Sequence, residues 1–311
     1  MPSSGSNPIV SVCVFSYNYE KYIAQCLESV LEQRCNFRFE IIVADDLSKD
    51  DTRRIISIYH DRNPEIIRVL FNEENIGGTK NWIKAINACR GKYIALIDGD
   101  DYFIDHFKLQ KQFDCLENNP SSNLCFHAVK EIYEDAPKLN RIARCNKSGL
   151  TVADFIEGSW FIRTSSTFFR NGILPASPPS WVYNYPYRYD SIIHVLLTLN
   201  GQCNFLDDIM SVWRRHSAGM SYNFSVDPVE NIKDLICLDM ELNLYTQNKF
   251  KLIFEKNIRR YKTGLVISLI KSGKVFQQPL LFIKSIIGME YIYFFELLKS
   301  KLINAKKTAL G

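Results

Sequence analysis

The sequence DGDD at residues 98–101 directly follows the apolar segment Tyr93–Ile97, and it carries the clearest signal for chemistry in the chain. Hard carboxylate oxygens at this spacing are suited to Mg²⁺ or Mn²⁺, which in turn bridges the two phosphates of a diphosphate. Aspartate clusters also form turns and caps, so the motif alone is weak evidence for a metal site. A second acidic pair, Asp45-Asp46, follows another apolar segment, and this repetition favours the metal interpretation.

Polar side chains follow three of the predicted strands at the point where each strand ends. In an open parallel sheet, ligands bind at the carboxyl ends of the strands. Six acidic or amide side chains would meet at this edge and repel one another unless a cation or a donor-rich ligand shared the site. They are Asn18, Asp45, Asp46, Asp98, Asp100 and Asp101. Neither G-x-G-x-x-G after the first strand nor G-x-x-x-x-G-K-[ST] occurs, so dinucleotide and P-loop chemistry are not indicated.

The elements that position these residues alternate between strand and helix. Short apolar runs rich in β-branched residues predict four buried strands, at Ile9–Phe15, Phe39–Ala44, Ile66–Phe71 and Tyr93–Ile97. Apolar residues at helical spacing predict three helices between them, at Glu20–Gln33, around Ile55–Tyr59 and at Trp82–Cys89. This alternation predicts βαβ units and a mostly parallel sheet over residues 8–130.

The chain changes character beyond residue 130. Proline and glycine accumulate up to residue 225, which indicates long loops. Strands are still predicted at Ser166–Arg170 and Ile209–Trp213, and a helix is predicted at Asp190–Leu199. Beyond Pro228 the sequence is mainly helical.

The composition excludes several classes of protein. The 311 residues are 46% apolar and 23% charged, which rules out wholesale disorder. Nine cysteines without a C-x-x-C pair argue against a disulfide framework or a zinc ribbon. The first residues, MPSSGSNP, lack the basic and apolar regions of a secretory leader, so we expect a reducing, cytoplasmic location.

Positive charge is concentrated at one end of the chain. Residues 251–311 carry 12 Lys or Arg and 3 Glu, a local net charge of +9, whereas the whole chain carries only +4 and gives no reason to expect a nucleic-acid partner. Charged residues interrupt the apolar segment 276–303, so we expect no membrane-spanning helix. Two interpretations stay open for this region. One is a basic amphipathic helix on the inner face of the cytoplasmic membrane, and the other is packing against the domain or a second subunit in a homodimer.

Taken together, these motifs resemble the family 2 glycosyltransferases of the GT-A fold. The segments concerned are VSVCVFSYNYEKYIAQCLESVLEQ, FEIIVADDLSKDDT, Asn75-x-Gly77, GKYIALIDGDDYF and Trp213-Arg-Arg-His216, in consistent order over residues 8–220. The resemblance implies an α/β fold with a Rossmann-like, mostly parallel sheet flanked by helices, followed by a helical C-terminal extension. The expected glycosyltransferase domain is 8–225, with a nucleotide-binding half at 8–130 and an acceptor half at 131–225, and 226–311 is the helical region.

The resemblance also implies which residues bind the nucleotide. Tyr17 would lie against the base, Asp46 would accept a hydrogen bond from the base imide, and Asp45 would help to shape the pocket. An imide N–H is present in uracil and thymine but not in cytosine, so this contact favours UDP or a thymidine nucleotide. Asp98 would lie near the ribose and the metal, and Asp101 would face the sugar or the acceptor.

The same resemblance implies two metal ligands, Asp100 and His216, with Arg214 facing the diphosphate. Imidazole is a good ligand for Mn²⁺ and a poorer one for Mg²⁺, so the pair favours Mn²⁺ while Mg²⁺ stays open. Without the family match, a single histidine among aromatic residues is more often structural.

The sequence departs from the common family pattern at three positions. Phe15 replaces the usual Pro, Leu47 replaces the usual Gly, and Trp82 stands where an Arg is often found. The absence of this Arg removes one expected contact with the diphosphate or the base, and Lys80 is the candidate to compensate for it.

Inverting glycosyl transfer needs a general base that takes the proton of the acceptor hydroxyl. The resemblance implies that this base is Asp190, at the start of a helix, although its neighbour Tyr189 is not the usual Glu or Gly. An aspartate at this position is also typical of a helix N-cap, and both roles are compatible. Asp154, Asp207 and Asp208 are weaker candidates.

The sequence therefore predicts a metal-dependent inverting glycosyltransferase. It would move a sugar from a nucleoside diphosphate, most simply UDP, to a glycan or lipid-linked acceptor in surface-polysaccharide synthesis. One alternative is a sugar nucleotidyltransferase, but SYNYEKY lacks the Gly-rich, basic loop that a nucleoside triphosphate needs. The other is a nucleotide-sugar-binding module without catalysis, and the joint retention of the acidic and histidine residues argues against it.

Overall fold

The structure is a computed structural model that describes residues 7–147, 149–158, 162–186, 188–219, 228–274, 277–287 and 289. The chain divides between residues 219 and 220 into two compact units. Within the described residues, the first unit carries a nine-stranded sheet flanked by helices, and the second unit is helical.

Four parallel strands form the first half of the sheet, in the order β3-β2-β1-β4. Their bounds are β1 Val10–Ser16, β2 Phe39–Asp45, β3 Ile67–Phe71 and β4 Tyr93–Asp98. β1 is buried over its whole length because helices cover both faces of a parallel sheet, which is why its sequence is a continuous apolar run. The four predicted strands are confirmed, each to within one residue at either end.

The described part of the same unit contains six α-helices. Their bounds are α1 Ile23–Leu31, α2 Thr52–Arg62, α3 Gly78–Asn87, α4 Lys108–Glu117, α5 Val152–Gly158 and α6 Tyr189–Thr198. The apolar stripe of α1, which includes Ile23, Leu27 and Val30, packs with the strands into the principal core. The helices expected near Ile55, Trp82 and Asp190 are all present.

The second half of the sheet is mixed. Its strands are β5 Tyr102–Phe103, β6 Ser122–Tyr133, β7 Arg141–Ala143, β8 Phe168–Arg170 and β9 Gln202–Arg215. β8 runs antiparallel to both β4 and β6, whereas β6 and β9 are parallel to each other. β9 begins at Gln202, seven residues before the predicted start at Ile209. The prediction missed this first part because it is polar and partly exposed, so it lacks a buried apolar pattern.

The pairing of β9 with β5 brings distant parts of the chain together. Tyr102 lies opposite Val212, and Phe103 lies opposite Ser211. β5 directly follows the acidic turn at residues 98–101, so this short pairing carries the end of β9 past that turn. The site described below depends on it.

The second unit contains three helices in its described part, α7 Pro228–Tyr245, α8 Lys251–Lys271 and α9 Pro279–Ile286. Val229, Leu265 and Leu269 form its small buried core. No helix in the described part of the chain is both long enough and apolar enough to cross a membrane. Most of the segment 276–303, on which the sequence made its membrane prediction, lies outside the described residues.

Candidate active site

The loops after β1 and β2 are joined by hydrogen bonds between side chains and backbone. Asn18 has a φ of 57°, a left-handed conformation that asparagine tolerates. Its Oδ1 accepts from the Lys49 N–H at 2.8 Å, and its own N–H donates to Ser48 Oγ at 2.8 Å. The Ser48 N–H in turn donates to Asp45 Oδ1 at 3.0 Å. The two loops therefore form one wall, from which the ring of Tyr17 is exposed.

Asp45 and Asp46 are buried at the end of β2, and both bind other parts of the protein. Arg53 Nε donates to Asp45 Oδ1 at 2.5 Å. Asp46 Oδ1 accepts from the Ile76 N–H at 2.8 Å, and its Oδ2 accepts from the Gly77 N–H at 2.9 Å. Asp46 thus fixes the loop that leads into α3. A carboxylate oxygen accepts up to two hydrogen bonds, so Oδ2 keeps the capacity to accept one more.

The acidic turn after β4 places three carboxyl groups close together. Asp100 is 7% exposed and Asp101 is 1% exposed. Burial, followed by the nearby charge of Asp100, raises the pKa of Asp98 to about 8, although a hydrogen bond from Thr164 opposes this shift. Burial and the charge of Asp100 likewise raise the pKa of Asp101 well above its usual range. The turn therefore resists full ionisation, and a bound cation would relieve the repulsion.

His216 lies against Asp100, although 116 residues separate them in the sequence. The distance between His216 Nε2 and Asp100 Oδ2 is 3.1 Å, and both side chains are buried. Neighbouring ligands of an octahedral ion with bonds of about 2.1 Å lie about 3.0 Å apart, so this donor pair fits a small divalent metal. Within the described residues, no group of three or more His, Cys, Asp or Glu side chains could hold a metal ion. The candidate metal ligands at the acidic turn are therefore these two side chains, Asp100 and His216.

Arg214 is fixed at the same edge of the sheet. Its backbone N–H donates to Asp101 Oδ1 at 2.8 Å. Its guanidinium donates to Gln25 Oε1 at 2.7 Å and lies 4.4 Å above the ring of Tyr22. The structure therefore brings Arg214, His216 and the acidic turn together, with the Arg214 side chain beside α1.

Sequence reasoning did not select two tyrosines that lie next to His216. The ring of Tyr22 is 4.6 Å from the His216 ring, and the ring of Tyr19 approaches the same imidazole edge-on at 6.4 Å. Burial, together with the charge of Asp100, raises the pKa of Tyr19 well above its usual range. Within the segment SYNYEKY, spacing alone does not distinguish these tyrosines from ordinary core aromatics.

Asp190 lies in the first turn of α6. Its Oδ1 accepts from the Ser191 N–H at 2.8 Å. Burial raises the pKa of Asp190 above its ordinary value, which suits a carboxylate that must accept a proton near neutral pH. The charge of Asp190 also contributes to the raised pKa of Asp98, so the two carboxyl groups interact electrostatically.

The weaker candidates for the base are held in ion pairs elsewhere. Asp154, Asp207 and Asp208 each pair with a lysine or arginine, and the partners are Lys147, Arg144 and Lys111 respectively. None of these contacts involves the acidic turn.

Two of the departures from the family pattern compensate for each other. The rings of Phe15 and Trp82 stack with centroids 4.1 Å apart and an interplanar angle of 11°. Tyr189 meets Trp82 edge-on at 6.0 Å, so the pair connects β1 to the helix that carries the candidate base. Trp82 is therefore a packing residue, and Lys80 is exposed on the first turn of α3. Leu47 has a φ of 65°, the conformation that the usual glycine adopts most easily.

The comparison with family models identifies the class of protein. The model for glycosyl transferase family 2 matches residues 11–173, which include the first four strands and the acidic turn. The chain belongs to this family.

The chain is also similar in sequence to individual bacterial proteins. An uncharacterized protein of Mycobacterium tuberculosis is 35% identical over 218 residues, which cover 70% of this chain and 62% of the relative. The chain thus spans less than two thirds of that protein. The putative teichuronic acid biosynthesis glycosyltransferase TuaG of Bacillus subtilis is 33% identical over 152 residues, which cover 49% of this chain and 58% of TuaG.

The fold is also found in a solved structure. TarS residues 1–349 of S. aureus, crystallised in complex with UDP-GlcNAc, match with a TM-score of 0.60 and 18% identity over 89% of this chain and 79% of that chain. This likeness confirms the predicted α/β fold of the GT-A type.

The crowded acidic turn predicts that Asp98→Asn stabilises the protein at alkaline pH. The folded state keeps Asp98 protonated up to about pH 8, whereas an unfolded aspartate loses its proton near 3.9, so wild-type stability falls as pH rises between these values. In urea unfolding with EDTA, we expect Asp98→Asn to gain at least about 1 kcal/mol at pH 8 and nearly nothing at pH 4. Asp61→Asn, on the exposed side of α2, serves as the control and should change stability by less than about 0.5 kcal/mol at either pH. A loss of stability in Asp98→Asn at pH 8 would contradict the argument.

Proposed function

We propose that this chain is an inverting, metal-dependent glycosyltransferase that uses a UDP-sugar and acts on a glycan or lipid-linked acceptor in surface-polysaccharide synthesis. The observation that carries the proposal is the contact between Asp100 and His216 at 3.1 Å, beside Asp98, whose carboxyl group interacts electrostatically with Asp190. This arrangement supports one site that would contain both a metal-binding pair and a candidate base. TuaG, a putative glycosyltransferase of teichuronic acid biosynthesis, supports the choice of acceptor class.

The donor nucleotide would bind at the wall formed by the loops after β1 and β2. The exposed ring of Tyr17 offers a surface on which a base can stack. Asp46 Oδ2 would accept the imide N–H of uracil, for which it keeps hydrogen-bonding capacity. Asp45 supports the wall through Ser48 and Arg53. Lys80, exposed at the start of α3, would contribute positive charge.

Asp100 and His216 would hold the divalent ion, Mn²⁺ or Mg²⁺, with Asp98 close to the ribose. When bound, such an ion stabilises the negative charge that develops on a leaving diphosphate. Its charge would also lower the pKa of Asp98 and allow the turn to ionise fully. Arg214, two residues from His216, would lie beside the same phosphates and add a fixed positive charge.

The reaction would be a single displacement. Asp190 would take the proton of the acceptor hydroxyl as the acceptor oxygen forms a bond to the anomeric carbon. The bond between that carbon and the diphosphate oxygen breaks at the same time, and UDP leaves. Because nucleophile and leaving group lie on opposite faces of the sugar, the configuration inverts and no covalent enzyme intermediate forms.

A panel of UDP-sugars tests the proposal directly. We expect one of them to release UDP in the presence of an acceptor and Mn²⁺, and EDTA or Asp100→Ala to remove this activity. Donor binding without UDP release would instead indicate a binding module, and formation of a sugar nucleotide from a nucleoside triphosphate would indicate a nucleotidyltransferase. Full activity of Asp100→Ala in EDTA would contradict the metal-dependent mechanism.

Substitution of the base separates catalysis from binding. Asp190→Asn keeps the shape of the side chain and its contact with Ser191 but cannot take a proton. We expect turnover to fall by a factor on the order of 10²–10⁴, with donor affinity nearly unchanged. Steady-state kinetics and UDP-sugar titration measure the two effects. Normal turnover with weakened donor binding would place Asp190 in the nucleotide pocket instead.

We propose further that the second unit contacts the inner membrane surface, where a lipid-linked acceptor would be found. Leu280, Ile283 and Ile287 are exposed at helical spacing on and just after α9, with the exposed Lys284 among them. Each Lys or Arg near an anionic surface contributes about 1 kcal/mol, and the region from residue 251 carries a net charge of +9. Packing of this face in a homodimer is the competing proposal.

Co-sedimentation with anionic liposomes distinguishes these proposals. We expect the full chain to pellet at low salt and to be released by high salt, because the attraction is electrostatic. Leu280→Gln with Ile283→Gln should reduce the pelleted fraction severalfold, because two apolar side chains no longer enter the lipid. Met240→Gln with Leu244→Gln, on exposed positions of α7, is the matched control. A chain that stays in the supernatant as a dimer would contradict the membrane proposal.

A further inference from the structure

The ring of Tyr22 lies between the two functional side chains at the end of β9. The Arg214 guanidinium carbon is 4.4 Å from the ring centroid, and the His216 ring is 4.6 Å away, tilted by 43°. Tyr22 directly precedes α1, whereas Arg214 lies near the end of the long strand β9 and His216 directly follows it. One aromatic ring therefore contacts both side chains that would face the metal and the diphosphate.

The Tyr22 hydroxyl fixes this ring in place. It donates to Glu134 Oε2 at 2.8 Å, and Glu134 Oε1 lies 3.5 Å from Arg214 Nε. The Glu134 backbone N–H also donates to the Arg215 carbonyl at 2.9 Å, just after the end of β6. Burial and the contact with Glu134 raise the pKa of Tyr22 to about 12, so the hydroxyl remains a donor at neutral pH. The Tyr22 side chain, the Glu134 carboxylate and the Arg214 guanidinium thus each contact the other two.

Gly219 leaves room beside the imidazole of His216. A Cβ added at Gly219 would lie 3.3 Å from His216 Nε2 and 3.2 Å from the His216 carbonyl oxygen. Glycine therefore leaves space beside the nitrogen that faces Asp100. With Tyr22 against the ring and Asp100 at Nε2, the imidazole orientation is set by contacts from two segments that are distant from it in the sequence.

We propose that Tyr22 is a positioning residue that aligns His216 with Asp100 for metal binding and holds Arg214 beside the phosphates. This inference rests on the proposed function, because it concerns the same site. A cation above an aromatic face and a contact between two aromatic rings each contribute modestly to the free energy that holds a side chain in place. Here both interactions, with Arg214 and with His216, depend on the one ring of Tyr22. Removal of the ring would let both side chains adopt other rotamers, and metal binding would then require ordering them again.

The test measures Mn²⁺ binding to the full chain in the presence of UDP, by electron paramagnetic resonance of the free ion. Tyr22→Phe keeps the ring, Tyr22→Met replaces it by a flexible side chain that is a poor ligand for Mn²⁺, and Tyr22→Leu replaces it by a shorter one. We expect Mn²⁺ affinity to fall in that order, by about tenfold for Tyr22→Leu and by less than about threefold for Tyr22→Phe. Tyr59→Leu is the matched control because Tyr59 also donates to a glutamate, Glu28, away from the site, and it should leave the affinity unchanged.

A merely structural role would give a different pattern. If Tyr22 positions the ligands, excess Mn²⁺ should restore the turnover of Tyr22→Leu toward the wild-type value, while its melting temperature stays close to that of Tyr59→Leu. Equal Mn²⁺ affinity across the series would overturn this inference alone, and Tyr22→Met decides the matter if Tyr22→Leu does not fold. A wild-type chain whose UDP binding is independent of Mn²⁺ would overturn the proposed function and this inference together.

Discussion

The contact between Asp100 and His216 is the interaction on which the candidate site depends. The short pairing of β5 with β9 places the end of β9 beside the acidic turn, and the long pairing of β9 with β6 holds the strand there. The Arg214 backbone reinforces this arrangement by donating to Asp101. Three carboxyl groups lie in this turn, and burial and the charge of Asp100 raise the pKa values of Asp98 and Asp101. Their mutual repulsion is a cost of folding that a bound cation offsets.

Most of the fold and several candidate site residues follow from patterns that are local in the sequence. The continuous apolar runs of the first four strands can belong only to a sheet covered on both faces, and the polar residues that end each strand must then share one edge. That reasoning placed Asp98 and Asp100 in one acidic turn and located the start of α6 at Asp190. Their chemical roles remain predictions, because position alone does not determine what a carboxylate binds.

The features that sequence reasoning missed depend on contacts between segments that are far apart in the chain, and no local pattern encodes such contacts. Tyr22 resembles any half-buried aromatic residue of a helix start, and its importance arises only because β9 returns to lie beside it. The early part of β9 is polar and partly exposed, so it gives no strand signal. The long loops between residues 131 and 225, which we expect to form the acceptor half, have no periodicity, so they give no sequence code for an acceptor.

The stacked pair of Phe15 and Trp82 has a consequence for engineering this protein. Substitution of Trp82 by the arginine common in the family would place a charged guanidinium against the ring of Phe15 and the buried Tyr189. Substitution of Phe15 by the proline that is usual in the family would remove a backbone N–H from a fully buried strand. Exchange of either residue alone would remove the stacking between the two rings and so lower the stability of the fold. Transplanting a donor pocket from another member of the family would therefore require both residues to be replaced as one unit, together with the packing of α6 around them.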